Sequence, residues 1–365
     1  MSRSVDAAVS GAADSMPPRS LSERYRRFQF RRMVWLAAFL GMLAGGFVVN
    51  VASGPAGLSV PQVIEGLIDP DGLSSAMHVI IWDVRLPFAV MAIVVGACLG
   101  LAGAEMQTVL NNPLASPATL GISYAATLGA SIAIAFDLAG PFGLPEDYVT
   151  PLFAFLGAIA AMALIQLLSR LYGASLEIVI LFGIAMVFAL QALVSLIQFV
   201  ADSNSLQQIV FWTMGSLARA TWQKIAIITV VLAVCGVFSM AQVWRLTALR
   251  GGEEYARSAG VQIERLRLLT LFRVSIVAAV AVSFTGVIGF VGLVGPHIAR
   301  LVCGEDHRFF LPGSVLAGAI ILTGASIASK SIIPGIIIPD GIVTALVGVP
   351  MFLVLVLTQM RKGRR

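Results

Sequence analysis

Charge is scarce in this chain. Asp, Glu, Lys and Arg make up 12% of the 365 residues, 58% are apolar, and the mean hydropathy is +0.92. A water-soluble core does not need that much hydrocarbon, whereas several membrane spans do. Lysine is rarer still: only Lys224, Lys330 and Lys362 occur, and none closes a Gly-x-x-x-x-Gly-Lys-Ser/Thr loop, which excludes a P-loop ATP site. His78, His297 and His307 are scattered, which gives no metal or catalytic cluster. Cys98, Cys235 and Cys303 lie in or beside apolar runs without paired spacing, which argues against a disulfide framework or a zinc site and leaves them as small packing residues. Carboxylates at mid-membrane depth, the usual mark of an ion-coupled carrier, are nearly missing. Glu105 falls near the inner end of its apolar run, Glu177 opens another, and Asp340 sits at the outer end of the last. Arg273 lies close enough to the end of its run to snorkel inward, so no buried relay is expected. The chain is therefore expected to hold no catalytic residue, metal or cofactor, and to take any driving energy from an ion gradient or a partner.

What is present is a series of long apolar runs. Ten spans are expected, near 33–52, 86–107, 118–136, 150–170, 176–199, 222–243, 268–284, 286–302, 311–329 and 341–358. The seventh and eighth run together through Thr285 and Gly286. Residues 1–32 read as a disordered basic tail, 33–360 as one membrane domain, and 361–365 as a second basic tail. The first run is long and lacks a small-residue cleavage site, so it reads as an uncleaved span rather than a signal peptide. With both termini in the cytoplasm, 19 of the 24 Lys and Arg fall inside; Arg85, Arg219, Lys224 and Lys330 fall outside. That bias fixes the orientation and ties the basic balance to membrane lipid rather than nucleic acid. Leu206 to Leu217, too short to cross, is expected to dip into the outer surface.

One polar stretch stands out. Residues 245–267 carry five arginines and three glutamates between two apolar runs. Within them Glu253 to Ser258 can form a short exposed helix, with Gly251 and Gly252 permitting an abrupt entry and Gly260 a stop. In the fifth span Gln191, Ser195 and Gln198 share one helical face, which suits either a water-lined path or hydrogen bonds between helices. Gly96, Gly100 and Gly103 permit close helix contact, and Gly286, Gly289 and Gly292 form a second small-residue face.

These motifs together resemble the permease family that serves ABC importers of ferric siderophores, haem and cobalamin. The likeness runs through Arg85-Leu86-Pro87, then Ala102-Gly103-Ala104-Glu105-Met106-Gln107 and Asn111-Asn112-Pro113-Leu114-Ala115-Ser116-Pro117, then Glu253 to Val261. It continues through Gly286-Val287-Ile288-Gly289-Phe290-Val291-Gly292-Leu293 to Pro296-His297 and Asp306-His307-Arg308, with a weaker match at Pro339 to Pro350. The resemblance implies an all-α polytopic membrane protein of the type II ABC importer permease kind, with ten spans, paired with a second copy or a paralogue. It implies ABC ATPase subunits docked on the inner face and a periplasmic or lipid-anchored binding protein outside, in the cell inner membrane. ATPase coupling would then fall to a helix at about 251–261, through Gly251, Glu253, Glu254, Ala256, Arg257, Ser258 and Gly260. The path would follow Gln191, Ser195 and Gln198, and docking of the binding protein would use Arg85 and Lys330. The chain departs from the family at Phe88, Ser326, Lys330 and Asp340, and Glu105 stands where an apolar residue is common. An iron-siderophore cargo is expected, with haem or cobalamin next and a gradient-driven carrier as the contrasting class.

Overall fold

The computed structural model describes residues 21–55, 57–143, 145–171 and 176–363, and among them every regular element is helical. In chain order these are α1 (Leu21–Ala52), α2 (Val60–Ile68), α3 (Ser75–His78), a π segment (Val79–Arg85), α4 (Leu86–Val109), α5 (Ile122–Ala135), α6 (Ala139–Phe142), α7 (Glu146–Leu171) and α8 (Leu176–Val200). They continue as α9 (Ser203–Thr213), α10 (Trp222–Ala241), α11 (Val243–Arg250), α12 (Glu253–Ser258), α13 (Ile263–Thr285), α14 (Val291–Cys303), α15 (His307–Ser331) and α16 (Asp340–Gly363). Among the described residues seven helices are long and apolar enough to cross a membrane, and three shorter apolar ones, α5, α14 and α16, bring the apolar segments to ten.

The body is organised around α4, which packs against α1, α10, α11, α13, α14 and α15. Of its most apolar window 83% is buried inside the chain, against 17% for α8, so α4 is the axis and α8 the flank. The close seam between α4 and its neighbours is made by backbone. A methyl group on Gly96 would lie 2.5 Å from Gly318 O, on Gly100 2.2 Å from Ser314 O, and on Gly103 1.7 Å from Gly292 O. Lipid supplies little hydrophobic drive between helices, so such backbone approach carries the packing.

Three features differ from the sequence reading. First, residues 21–32 are not a free tail: they continue α1 as one unbroken helix of 32 residues, about 48 Å long. Residues 1–20 of the expected tail lie outside the described residues. At the other end α16 runs on to Gly363, so most of the second expected tail is helical too, and 364–365 lie outside the described residues. Second, Pro87, which has no N–H, opens α4 immediately after a π segment in which Leu86 N–H reaches Ile81 O. The widened turn accommodates the proline and changes the direction Arg85 faces. Third, Gly286 and Gly289 do not join Gly292 on a helical face. The chain breaks after α13, with Gly286 at φ +74 and Phe290 at φ +65, and α14 starts only at Val291.

Candidate coupling and translocation sites

α12 stands between two short turns, on the side where the sequence reading puts the cytoplasm. Gly252, at φ +121, precedes it, and Gly260, at φ +80, follows it, conformations that favour glycine. Glu253, Glu254, Arg257 and Ser258 are exposed, Tyr255 is 61% exposed, and only Ala256 turns inward, fully buried. Two ion pairs stiffen the unit. Arg257 Nη2 donates to Glu264 Oε1 on α13 at 2.5 Å, and Arg267 Nη2 donates to Glu253 Oε1 at 2.8 Å. Arg267 also gives its Nε hydrogen to Val109 O, the last residue of α4, at 3.1 Å. α12 is thus fastened through Arg267 to the end of α4, the axis of the fold.

The end of α4 collects further ties. Arg250, which ends α11, donates to both carboxylate oxygens of Glu305 (3.0 and 3.2 Å) and to Asn111 Oδ1 (2.7 Å). Arg300 on α14 faces the same Glu305 and donates to Gln107 Oε1 at 3.1 Å. His307, fully buried, sits between Thr108 Oγ1 (2.8 Å) and Thr247 Oγ1 (3.2 Å), joining α15 to α4 and α11. The Asn-Asn-Pro and Asp-His-Arg motifs therefore meet in space at the end of α4, next to α11.

α9 is an 11-residue helix, about 16 Å long and too short to cross. Asp202 caps it, accepting from Asn204 N (2.8 Å), Ser205 N (3.1 Å) and Ser205 Oγ (2.6 Å). The Ser205 hydroxyl and these two amides hold the Asp202 carboxyl below the usual carboxylate range. After α9 the chain is pinned by Ser216 N to Thr285 O (2.7 Å), by Leu217 N to Asp340 Oδ2 (2.9 Å) and by Gly341 N to Gly215 O (3.0 Å). A recess of about 620 Å³ lies beside α9, with Glu146, Asp147, Gln207, Gln208, Arg219 and Lys224 in its wall. On α8, Gln191 and Ser195 are exposed and Gln198 is half-buried, while Leu190 packs against Ala125 of α5 and Ala161 of α7 and Val194 is buried. The polar stripe is therefore directed away from the chain's own core.

Comparison with known proteins settles the class. Residues 38–358 match the model of the FecCD transport family. The chain belongs to the FecCD transport family. A protein of Methanocaldococcus jannaschii named as an ABC transporter permease is 38% identical over 348 residues, covering 94% of this chain and 99% of that protein. The hemin transport system permease protein of Yersinia pestis is 38% identical, covering 76% of this chain and 84% of its own. A solved structure described as an inward-facing conformation of a metal-chelate type ABC transporter superposes with TM-score 0.78 at 32% identity, covering 88% of this chain and 98% of that one. The fold is that of the type II importer permeases.

In this FecCD chain the two cations expected to meet a binding protein are turned inward. Arg85 is 6% exposed and Lys330 8% exposed. Arg85 Nη1 donates to Val51 O (3.0 Å) and Ala52 O (2.8 Å), the last carbonyls of α1. Lys330 Nζ donates to Asn50 O at 2.8 Å and to the Asn50 side chain, and lies over the Phe88 ring. Both charges therefore cap the C-terminus of α1, where the helix dipole is negative. The π segment aims Arg85 there, and both cations are spent on backbone and side-chain partners within the chain. Asp340 is also fully buried, with Oδ2 on Leu217 N, so it adds no charge to the outer surface.

The sequence reading also missed a buried ion pair. Arg273 does not snorkel: its Nε donates to Glu105 Oε2 at 3.0 Å and its Nη2 to Glu105 Oε1, with Glu105 1% exposed. One acid in the second span and one base in the seventh, each alone in an apolar run, was the available signal, since a charge inside a membrane protein needs a partner. Among the described residues the pair leads to no second carboxylate.

Proposed function

We propose that this chain is the non-catalytic membrane subunit of an ATP-driven importer of an iron-siderophore complex. It pairs with a second copy or a paralogue, takes ABC ATPase subunits on the α12 side, and receives its cargo outside from a binding protein. The observation that carries this reading is α12 itself. It is an exposed knob between two glycine turns, in the most basic loop of the chain, with Glu253 tied through Arg267 to the end of α4. A knob held that firmly passes a push from outside to the membrane body. Gly251, Glu253, Glu254, Ala256, Arg257, Ser258 and Gly260 form this coupling element. The exposed Gln191 and Ser195, with Gln198 and the α9 region, line the route at the pairing face.

The charge bias supports the orientation: with both termini in the cytoplasm, 19 of the 24 Lys and Arg in the sequence fall on the inner side, in keeping with a cell inner membrane protein whose α12 faces the cytoplasm. For the cargo, relatives carry names for hemin, vitamin B12, molybdate, iron(III) citrate and an iron chelatin. Iron chelates are the commonest chemistry among them, which favours a siderophore and leaves haem or cobalamin as the alternative. Removal of residues 251–260 is expected to abolish uptake while the spans still insert. Uptake of radioactive iron as a ferric trihydroxamate, measured beside hemin and cobalamin in cells with and without the gene, tests both statements. Unchanged uptake by the deletion variant would refute the coupling role, and uptake of hemin or cobalamin alone would refute the siderophore.

A further inference from the structure

The buried Glu105–Arg273 pair has no part in the route or in docking as described, yet it lies where the coupling unit enters the membrane body. Two apolar side chains would join α4 to α13 without dehydrating a carboxylate and a guanidinium. What the pair adds is register, because two parallel N–H···O contacts hold one relative position of the helices and no neighbouring one. Its third member supplies the direction. Arg273 Nη1 donates to Gln242 Oε1 at 3.4 Å, and Gln242 is the single residue between α10 and α11. Two turns nearer the inner end of α13, Arg267 holds Glu253 of α12 with one nitrogen and Val109 O of α4 with another. α13 thus touches α4 through two arginines, and each shares its contact with the coupling unit, Arg267 with α12 and Arg273 with the α10–α11 joint.

We infer that Glu105 and Arg273 are positioning residues that make α4, α13 and the joint at Gln242 move as one body when α12 is displaced. Without the pair, Arg267 is left as the one arginine tie that sets the register of α13 on α4, and part of the displacement of α12 is lost as sliding rather than passed to the spans. The inference rests on the coupling role proposed for α12.

The test uses the full complex of permease, ATPase and binding protein in proteoliposomes, with radioactive iron as a ferric trihydroxamate. The double variant Glu105→Leu with Arg273→Met removes both charges and leaves neither one unpaired. It is expected to assemble and to melt close to the unaltered complex. Its ATPase stimulation by the loaded binding protein, and the iron delivered per ATP, are expected to fall by about tenfold. Glu105→Gln, which keeps the shape but not the charge, is expected to lose part of the same ratio. A double variant that delivers iron at the unaltered ratio overturns the inference. A double variant that fails to assemble does so too, because the pair then serves the fold alone. ATP-independent delivery by the unaltered complex would instead overturn the importer reading itself, and the inference with it.

Discussion

Gly103→Val should leave the membrane almost without folded permease. The first atom of any side chain at this position would lie 1.7 Å from Gly292 O and 2.6 Å from Gly292 C, both backbone atoms of α14. No rotamer change relieves a clash with backbone, so α4 and α14 would have to part. They are prevented from doing so by the same approach higher on α4, where Gly100 meets Ser314 O and Gly96 meets Gly318 O on α15. Overpacking of an ordinary core costs about 1–3 kcal/mol, and this site has less room to yield than a core of side chains. Even Gly103→Ala is expected to reduce the yield of monodisperse protein on size-exclusion chromatography severely. Gly324→Ala is the control: a methyl group there meets nothing within 4 Å, and its yield and melting temperature should match the unaltered chain. Equal yields for the two alanine variants would show that the α4–α14 seam is looser than described.

Lys330→Ala should destabilise the permease before it affects any partner. The ammonium is buried and serves three groups: Asn50 O, the Asn50 side chain and the face of Phe88. Its removal leaves the C-terminus of α1 with an unpaired carbonyl and opens a void beside Phe88. Losing buried hydrogen bonds to a charged donor of this kind costs about 1.5–3 kcal/mol, enough to lower the melting temperature in detergent by a few degrees. Arg85→Ala should act in the same direction, through Val51 O and Ala52 O. Lys330→Met keeps the stem and its packing on Phe88 and should be milder than alanine. The contrasting result is an unchanged melting temperature with weakened capture of the binding protein. That outcome would support the docking role that the family resemblance implies for both residues.

These two cases show what a single sequence conveys. The spans could be read because an apolar run long enough to cross a bilayer has few other uses, and ten runs correspond to the ten apolar helices. α12 could be read because glycines and a cluster of opposite charges interrupt two such runs, and its helix spans Glu253–Ser258 as the pattern implied. Direction was not legible. Arg85 and Lys330 lie at the outer ends of their spans, but only the π segment and Asn50, far off in sequence, turn them inward. Glu105 and Arg273 are 168 residues apart, and each taken alone resembles a charge able to reach the interface. Residues 21–32 resembled a tail because arginine dominates them, yet Glu, Arg, Tyr and Phe continue a helix once the span behind them has nucleated it. The glycines at 286, 289 and 292 have helical spacing, but Gly286 and Phe290 adopt positive φ and the helix starts after them.

That break has a mechanical meaning. From Gly286 to Phe290 the chain lacks a helical ladder, and it is covered by protein through the contacts of Thr285 with Ser216 and of Gly215 with Val287. Dihedral rotation alone can reshape such a stretch, so an entrance opening beside α9 would require no helix to melt. A door hung on unwound backbone swings at the expense of torsion, while the neighbouring spans remain intact.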